Sequence, residues 1–467
     1  MPDPHDDVDA WLSERIEPLP PPPGTFDLIK RRARRRKYRK LAITAGSAAV
    51  IVAAAVAVPQ VVNLPVLNPN PTAAPVAGAQ SSSVTADKSA PRHASGSASP
   101  VTSSAVPLTS PVPGNFRPTS VTFVGLRTGW VIGQGLTPGH CATQFCTSVA
   151  RTDDAGRTWT GVPAPMAGAP DGATGLSQIR FLNLKYGWAY GPQLYATRTG
   201  GGTWAAVNTG GLRVTALETV GDRVFAVWAS CTGDGPAYAA GCTRFTLYSA
   251  SARGGAWAPV GTPTTGLTDG AASEAAQLVL TGSRGYLLAP GGALYSGPVD
   301  GSKPWTRVSS LVASCPVGPP RADGQPTGAL LGAVNASDLI LACASASSGS
   351  NPSVSTQQKF IYSSKNGGVS WQQLATAPAA GVASGLAASP SESVVLATNQ
   401  GIDVLPASKM AWRKANIRGG APAGGFRYIG MTTGDQGIAL PADPSAGTIW
   451  FTFDGGQSWK ASRLNGS

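Results

Sequence analysis

The sequence predicts an all-β protein: a seven-bladed β-propeller of four-stranded antiparallel blades, preceded by one transmembrane α-helix and a disordered stalk. Three observations carry this. A loop ending in Trp recurs along the C-terminal part of the chain. Gly (58) and Pro (40) are too abundant for many long helices, while charged residues are only 13% of the 467. One uncharged apolar run follows a block of cations.

Residues 1–40 are assigned as a cytoplasmic tail. The net charge of +12 would point to nucleic acid until the charges are located. Nine cations lie between Lys30 and Lys40: Lys30, Arg31, Arg32, Arg34, Arg35, Arg36, Lys37, Arg39 and Lys40. They abut the apolar run Leu41 to Val62. That placement makes them a juxtamembrane block facing anionic lipid, and no nucleic-acid partner is expected. Asp6 to Ile16 has the pattern of a short amphipathic helix with an acidic first turn, ended by Pro18 and Pro20 to Pro23. A helix this short orders only on a partner, which leaves open a sensor that couples the outside to this tail.

Residues 41–62 carry no charge and are long enough for one helical crossing of the hydrocarbon core. Cations on the N-terminal side alone orient the helix with its N-terminus cytoplasmic and the remainder outside. The rival reading is a cleaved signal peptide ending near Ala55-Val56-Ala57. Such peptides occupy the first 15 to 30 residues or so, and this run begins about 40 residues in.

Residues 63–113 shift to Pro, Ala, Ser, Thr and Val with almost no charge or aromatics. Such a segment cannot bury enough apolar surface to offset its ordering entropy and reads as an extended stalk.

All six cysteines follow the apolar run: Cys141, Cys146, Cys231, Cys242, Cys315 and Cys343. An even number confined to the outer portion points to disulfides in an oxidising space. Cys141–Cys146 and Cys231–Cys242 are close in sequence, which leaves Cys315–Cys343; six cysteines allow 15 connectivities in all. No C-x-x-C is present and His140 is the last histidine, so no metal is expected.

Residues 114–467 carry the repeat. Thr152-Asp153-Asp154-Ala155-Gly156-Arg157-Thr158-Trp159 fits S/T-x-D-x-G-x-S/T-W, as does Thr452-Phe453-Asp454-Gly455-Gly456-Gln457-Ser458-Trp459. Ser364-Lys365-Asn366-Gly367-Gly368-Val369-Ser370-Trp371 fits with Asn for Asp. Thr197-Arg198-Thr199-Gly200-Gly201-Gly202-Thr203-Trp204 fits with Thr for Asp. Degenerate copies end in Trp257, Trp305 and Trp412. Successive Trp positions differ by 45, 53, 48, 66, 41 and 47, the longest interval holding a Ser/Gly/Asn-rich insertion from Ala344 to Gln357. Asp or Asn and Ser or Thr satisfy backbone amides of a tight turn, Gly supplies positive φ, and Trp is expected to bury its ring in the blade interior. Val121 to Gly133 and Ile179 to Gly191 each read as strand, turn, strand; Leu278 to Leu288 and Tyr428 to Leu440 are weaker copies. Adding the strands on either side of the Trp loop gives four per roughly 50 residues, the arithmetic of a propeller blade.

The Trp loops resemble the Asp-box, or BNR, repeats of sialidases and related propellers. Val121 to Trp130 and Ile179 to Gly191 are similar to strands of the photosystem II stability/assembly factor family. That family implies seven blades and an assembly role, over about three quarters of this chain. The stalked, anchored plan resembles surface proteins of high-GC actinobacteria, where photosystem assembly is not expected. The sialidase resemblance implies a tyrosine nucleophile with a carboxylate partner, a second acid as acid/base, and three arginines around a substrate carboxylate. Asn115-Phe116-Arg117-Pro118 only echoes the Phe-Arg-Ile-Pro motif, and sialidases imply six blades. The acids here, such as Asp154, Asp222, Asp300 and Asp454, fall in turns. No catalytic residue and no cofactor are therefore assigned.

Arg117, Arg127, Arg180, Arg213 and Arg427 recur near the first strands. They read either as solvated charge or as a positive face for an acidic polymer or protein. Trp130 and Trp188 read as core or as a binding face. The expectation is a non-enzymatic, extracytoplasmic binding or assembly scaffold for an envelope protein or cell-wall component. A sialidase-type exo-glycosidase or glycan-binding protein is the alternative.

Overall fold

In the computed structural model the described residues are 110–136, 146–168, 175–231, 242–260, 265–266, 276–289, 292–310, 315, 329–345, 355–407 and 411–464. All belong to the unit Ser99–Ser467. The expected tail, the apolar run and the stalk up to residue 109 lie outside them, and so do Cys141 and His140. No helix among the described residues is long and apolar enough to cross a membrane.

Seven antiparallel sheets follow one another along the chain. Blade 1 is β1 (Gly114–Phe123), β2 (Gly129–Leu136), β3 (Cys146–Thr152) and β4 (Thr160–Val162). Blade 2 is β5 (Gln178–Phe181), β6 (Gly187–Tyr190), β7 (Leu194–Thr197) and β8 (Ala205–Ala206). Blade 3 is β9 (Arg213–Val220), β10 (Arg223–Cys231), β11 (Cys242–Ser251) and β12 (Ala258–Pro259), with β13 (Thr265–Gly266) also on β11. Blade 4 is β14 (Gln277–Leu280), β15 (Arg284–Leu288), β16 (Ala293–Pro298) and β17 (Thr306–Ser310). Blade 5 is β18 (Ala329–Ala333), β19 (Leu339–Ala344), β20 (Lys359–Ser364) and β21 (Gln372–Ala377). Blade 6 is β22 (Ala383–Ala388), β23 (Val394–Thr398), β24 (Gly401–Leu405) and β25 (Arg413–Lys414). β26 (Asn416–Ile417) then runs parallel to the last strand of blade 7, which is β27 (Phe426–Met431), β28 (Gly437–Pro441), β29 (Thr448–Thr452) and β30 (Ser458–Arg463).

The first strands touch in ring order, β1 to β5, β9, β14, β18, β22 and β27, and β1 also meets β28 and β29. This is a closed seven-bladed propeller. Each blade's four strands come from one contiguous stretch of chain, so closure uses side chains rather than a shared strand. Phe116, Val121 and Trp159 of blade 1 pack on Ile438, Ile449 and Phe451 of blade 7. Gln436 Nε2 donates to Leu126 O at 2.9 Å, and Ser462 Oγ donates to Gly156 O across the same seam.

The core lies between blades. Seven apolar clusters fill the seven seams, and each contains one of the seven repeat tryptophans. Trp204 lies in the seam of blades 1 and 2, Trp305 in that of blades 3 and 4, and Trp459 in that of blades 6 and 7. Each ring is held between its own blade and the preceding one; Trp305 lies on Gly285 and Gly297 of its own blade and against Phe225 of blade 3. The expectation of a ring inside the blade is thereby refined to a ring in the seam. A sheet has two faces and no interior, so its apolar side chains are covered only by the next sheet. Trp130 and Trp188 are seam residues too. Trp130 stacks on Phe181 at 3.8 Å, and its Nε1 donates to Gly200 O at 3.0 Å.

The long interval between Trp305 and Trp371 has two causes. The β19–β20 connection was legible as an insertion, but the connection between β17 and β18 is also long and carries Cys315.

Trp305 lies flat on glycines of its own blade, Gly285 in β15 and Gly297 in β16. A Cβ on Gly285 would stand 2.1 Å from the Trp305 ring, whereas one on Gly282 would meet nothing within 4 Å. Gly285→Ala is expected to destabilise by about 1–3 kcal/mol through overpacking. Gly282→Ala should stay within about 0.5 kcal/mol. Urea unfolding of the two variants side by side measures the difference.

Candidate functional site

Antiparallel order within each blade divides the connections between two ends. First-to-second and third-to-fourth strand turns lie at one end, the turn face. Second-to-third strand loops and blade-to-blade links lie at the other, the loop face.

The turn face holds the four best Trp loops, whose Asp, Asn, Ser and Thr side chains bond within the loop. In blade 1, Thr152 Oγ1 donates to Asp154 Oδ1 at 2.8 Å and accepts from Gly156 N at 3.0 Å. Asp154 Oδ1 also accepts from Arg157 N and Thr158 N, both at 2.9 Å. Blade 7 repeats this with Thr452, Asp454, Gly456 and Ser458. In blade 5 Asn366 Oδ1 accepts from Ser370 N at 2.9 Å while its Nδ2 donates to Ser370 Oγ at 2.8 Å. In blade 2 Thr199 Oγ1 accepts from Thr203 N at 2.8 Å, and Thr197 Oγ1 accepts from Gly201 N at 3.0 Å. Paired positive-φ glycines follow in blades 2, 5 and 7 (Gly200/Gly201, Gly367/Gly368, Gly455/Gly456); blade 1 has Ala155 at φ 65 before Gly156 at 82. The first of each pair donates its N–H to its own blade's other turn: Ala155 to Arg127 O, Gly200 to Lys185 O, Gly367 to Ser337 O and Gly455 to Asp435 O, at 2.8–2.9 Å. These residues fasten each loop to its own blade.

Burial pushes the Asp154 and Asp454 carboxyls up, but hydrogen bonds from Thr158 and Thr152, and from Ser458 and Thr452, outweigh it and hold both below the ordinary 3.8.

The loop face is different. The long connections between strands, among them β2–β3, β10–β11, β17–β18 and β19–β20, leave this end. Both disulfides seen in full are here: Cys231–Cys242 at the base of the β10–β11 loop, and Cys315–Cys343 from the blade 4–5 link to β19. They match the expected pairings. Cys146 is also disulfide-bonded.

Lys359 was missed by sequence reasoning. It is fully buried, and its Nζ donates to Gln357 O (3.0 Å), Ala379 O (3.2 Å), Ala380 O (3.3 Å) and Gly381 O (2.7 Å). The ammonium thus ties the blade 5 loop to the blade 5–6 link. Burial pushes its pKa down to about 8, against the pull of Asp403. Asp403 is also fully buried, 3.2 Å from Lys414 Nζ, and burial raises its pKa. A lone Lys in an apolar strand reads as a solvated edge, and nothing local announces the cage.

The five expected arginines do not form one face. Arg117, Arg213 and Arg427 start first strands at the loop end, while Arg127 is in a blade 1 turn at the opposite end. Arg427 NH2 donates to Pro118 O across the closing seam. Arg180 points into the ring centre: Nε donates to Glu218 Oε1 at 2.7 Å, and NH1 donates to Ser120 Oγ at 3.1 Å and Ile179 O at 2.8 Å. Burial works against its charge, yet Glu218 outweighs it and the guanidinium is held above the ordinary value. Tyr190 and Tyr428 stand in the same electrostatic cluster; burial pushes Tyr190 up to about 12 and raises Tyr428. An arginine already paired to a carboxylate does not clamp a substrate acid. Tyrosines raised by burial are poor oxygen nucleophiles.

Among the described residues no group of three or more His, Cys, Asp or Glu is placed to hold a metal ion.

The chain is thus a seven-bladed propeller with one structural face and one elaborated face. No family model and no curated protein matches it. Among solved structures it is similar to "YCF48 bound to D1 peptide" (15% identity, TM-score 0.47, 74% of this chain and 96% of that one). It is also similar to "YCF48 from Cyanidioschyzon merolae" (14%, 0.42, 65% and 88%) and to "Crystal Structure of Mitotic Checkpoint Complex" (10%, 0.44, 82% and 99%).

Two predictions test the fasteners. Ala155→Gly should stabilise by about 1 kcal/mol, by relieving an L-residue in the left-handed region. Asp454→Ala should cost about 1–3 kcal/mol and Asp454→Asn clearly less, because Asn serves the same position in blade 5. A carboxyl lowered on folding stabilises above its unfolded pKa, and that gain is lost as pH falls through the folded value. Acid unfolding below pH 3.8 should therefore be shallower in an Asp154→Asn/Asp454→Asn double variant. For the cage, Lys359→Met should cost about 2–4 kcal/mol by stranding its carbonyls, read by thermal unfolding at pH 7.

Proposed function

We propose that the chain is a single-pass membrane protein that carries its propeller outside the cytoplasm as a non-enzymatic binding scaffold. The N-terminus is cytoplasmic, the apolar run 41–62 is the anchor, and residues 63–113 form the stalk. The loop face binds an envelope protein or a cell-wall component. The repeat loops act as Asp-boxes in the structural sense and contact no ligand.

One observation carries this reading: the asymmetry of the two ends. The Asp, Asn, Ser and Thr side chains of the four best Trp loops bond within their own loops, while long connections, disulfides and the Lys359 cage gather at the opposite end. Binding residues concentrate on loops held by a rigid scaffold. Disulfides at that end agree with an oxidising compartment, and the cations before residue 41 agree with the orientation. The paired arginine and raised tyrosines at the centre weigh against a sialidase-type reaction.

In-cell crosslinking of the full-length, tagged chain, followed by mass spectrometry, tests it. A recurrent envelope protein or wall fragment should be lost when residues 232–241 are replaced by Gly and Ser between the intact cysteines. It should persist when Leu126 and Leu184 of the turn face become Ser. Loss with the turn-face variant alone, or with neither, would overturn the assignment. Protease added to intact cells should cut the propeller side and spare a tag at the N-terminus.

A further inference from the structure

The first described residue, Ser110, adds to the outer edge of blade 1. Its N–H donates to Gly161 O at 2.9 Å and its carbonyl accepts from Gly161 N at 2.6 Å, the closely spaced pair of an antiparallel ladder. Beside this pair lies a groove of about 460 Å³. Ser110 lines it, and so do Val162, Pro163, Ala164, Pro165 and Met166, the run that follows Gly161. The lining is apolar with a few hydroxyls and holds no charged side chain. Met166 is 82% exposed, the most exposed large apolar side chain among the described residues.

We propose that the end of the stalk, Val106 to Thr109, fills this groove. An antiparallel continuation from the Ser110–Gly161 pair sets Thr109 opposite Val162, Leu108 opposite Pro163, Pro107 opposite Ala164 and Val106 opposite Pro165. Side chains alternate along an extended chain, so Val106 and Leu108 share the face of Ser110, which lines the groove. The sequence favours extension on both sides. Val106 and Ser110 precede Pro, as do Val162 and Ala164, and a residue before Pro is biased to extended backbone. Pro107 and Pro111 fall at the alternate positions, between hydrogen-bonded pairs, where no N–H is owed to β4. Pro163 has no N–H to give, and its carbonyl already accepts from Trp204 Nε1 at 2.9 Å. The ladder therefore weakens beyond Ser110, and apolar contact of Val106 and Leu108 carries the seat. No residue from Ala94 to Phe116 is charged, which matches the uncharged lining, whereas a charged peptide would bury ions without partners. The seated segment covers the outer edge of β4 and closes the groove to other strands. The tether then leaves the ring from the edge of blade 1, and Ala105 is the first residue clear of it. This goes beyond the scaffold reading and does not depend on it.

The test uses the full-length chain with its disulfides intact and one added cysteine, Val106→Cys or, as control, Ser103→Cys, labelled with N-ethylmaleimide. Val106→Cys should label at least about tenfold more slowly than Ser103→Cys. Adding Leu108→Asp in the stalk, or Met166→Asp on the exposed wall of the groove, should bring its rate to within about twofold of the control without moving the unfolding midpoint. Hydrogen exchange of the unsubstituted chain gives a second reading: residues 106–109 should exchange more slowly than 99–104. Equal labelling of the two cysteines, equal exchange of the two segments, or protection that survives both aspartates would each overturn the proposal. So would protection that grows with protein concentration, since a second copy's stalk would then fill the groove. Each of these outcomes is independent of the crosslinked partner, so failure of the seat and failure of the scaffold reading are told apart.

Discussion

Burial of each blade's faces against its two neighbours is the constraint on which the rest of this structure depends. No blade has a core of its own: every apolar cluster spans a seam, and every seam takes a repeat Trp from the following blade. Burying one large apolar side chain is worth about 1.5–3 kcal/mol, so a seam with several such residues dominates over any single hydrogen bond in the ring. The seam also sets local rules. Gly285 and Gly297 are bare because Trp305 lies on them, and Gly156 is bare because Phe451 does. Closure follows the same logic, since blades 7 and 1 meet through side chains alone along most of their length.

A ring held at its seams can treat its two ends differently. On the turn face, aspartate, asparagine or threonine at one position folds the loop back on its own backbone, and a backbone N–H pins it to the neighbouring turn. Such loops stay short because their turn is closed by their own side chains. On the loop face, length is tolerated because strand ends are fixed by the seams, and the excess is tied at its base by disulfides and by the Lys359 ammonium. A caged ammonium and a disulfide do comparable work there, one through four carbonyl acceptors and one through a covalent link. Variation is thereby directed to one end, where binding chemistry can be built without disturbing closure.

The centre of the ring shows how pairing decides chemistry. Arg180, Glu218 and two tyrosines include residue types that an acid-binding glycosidase uses. Here the guanidinium is spent on Glu218, Ser120 and a backbone carbonyl, and burial keeps the tyrosines protonated. Residue types in proximity therefore do not define a site; the hydrogen bonds already made among them do.

Blade number, blade order and the positions of the Trp loops were legible in the sequence, because each loop is a local device whose residues satisfy one another within eight positions. Thr152, Asp154 and Gly156 read the same way in one dimension as in three. The Cys231–Cys242 pair was legible for a similar reason, and Cys315–Cys343 followed by elimination. What the sequence did not contain was the direction in which each Trp points, the scatter of the five arginines over both ends and the centre, and the partners of Lys359 and Asp403. Most of those depend on contacts between residues distant in sequence, such as Lys359 with Gly381, 22 apart, and Arg427 with Pro118, 309 apart. Local hydrogen bonding writes itself into spacing; packing between blades does not, and only the closed ring decided which polar groups are spent and which face is left to bind.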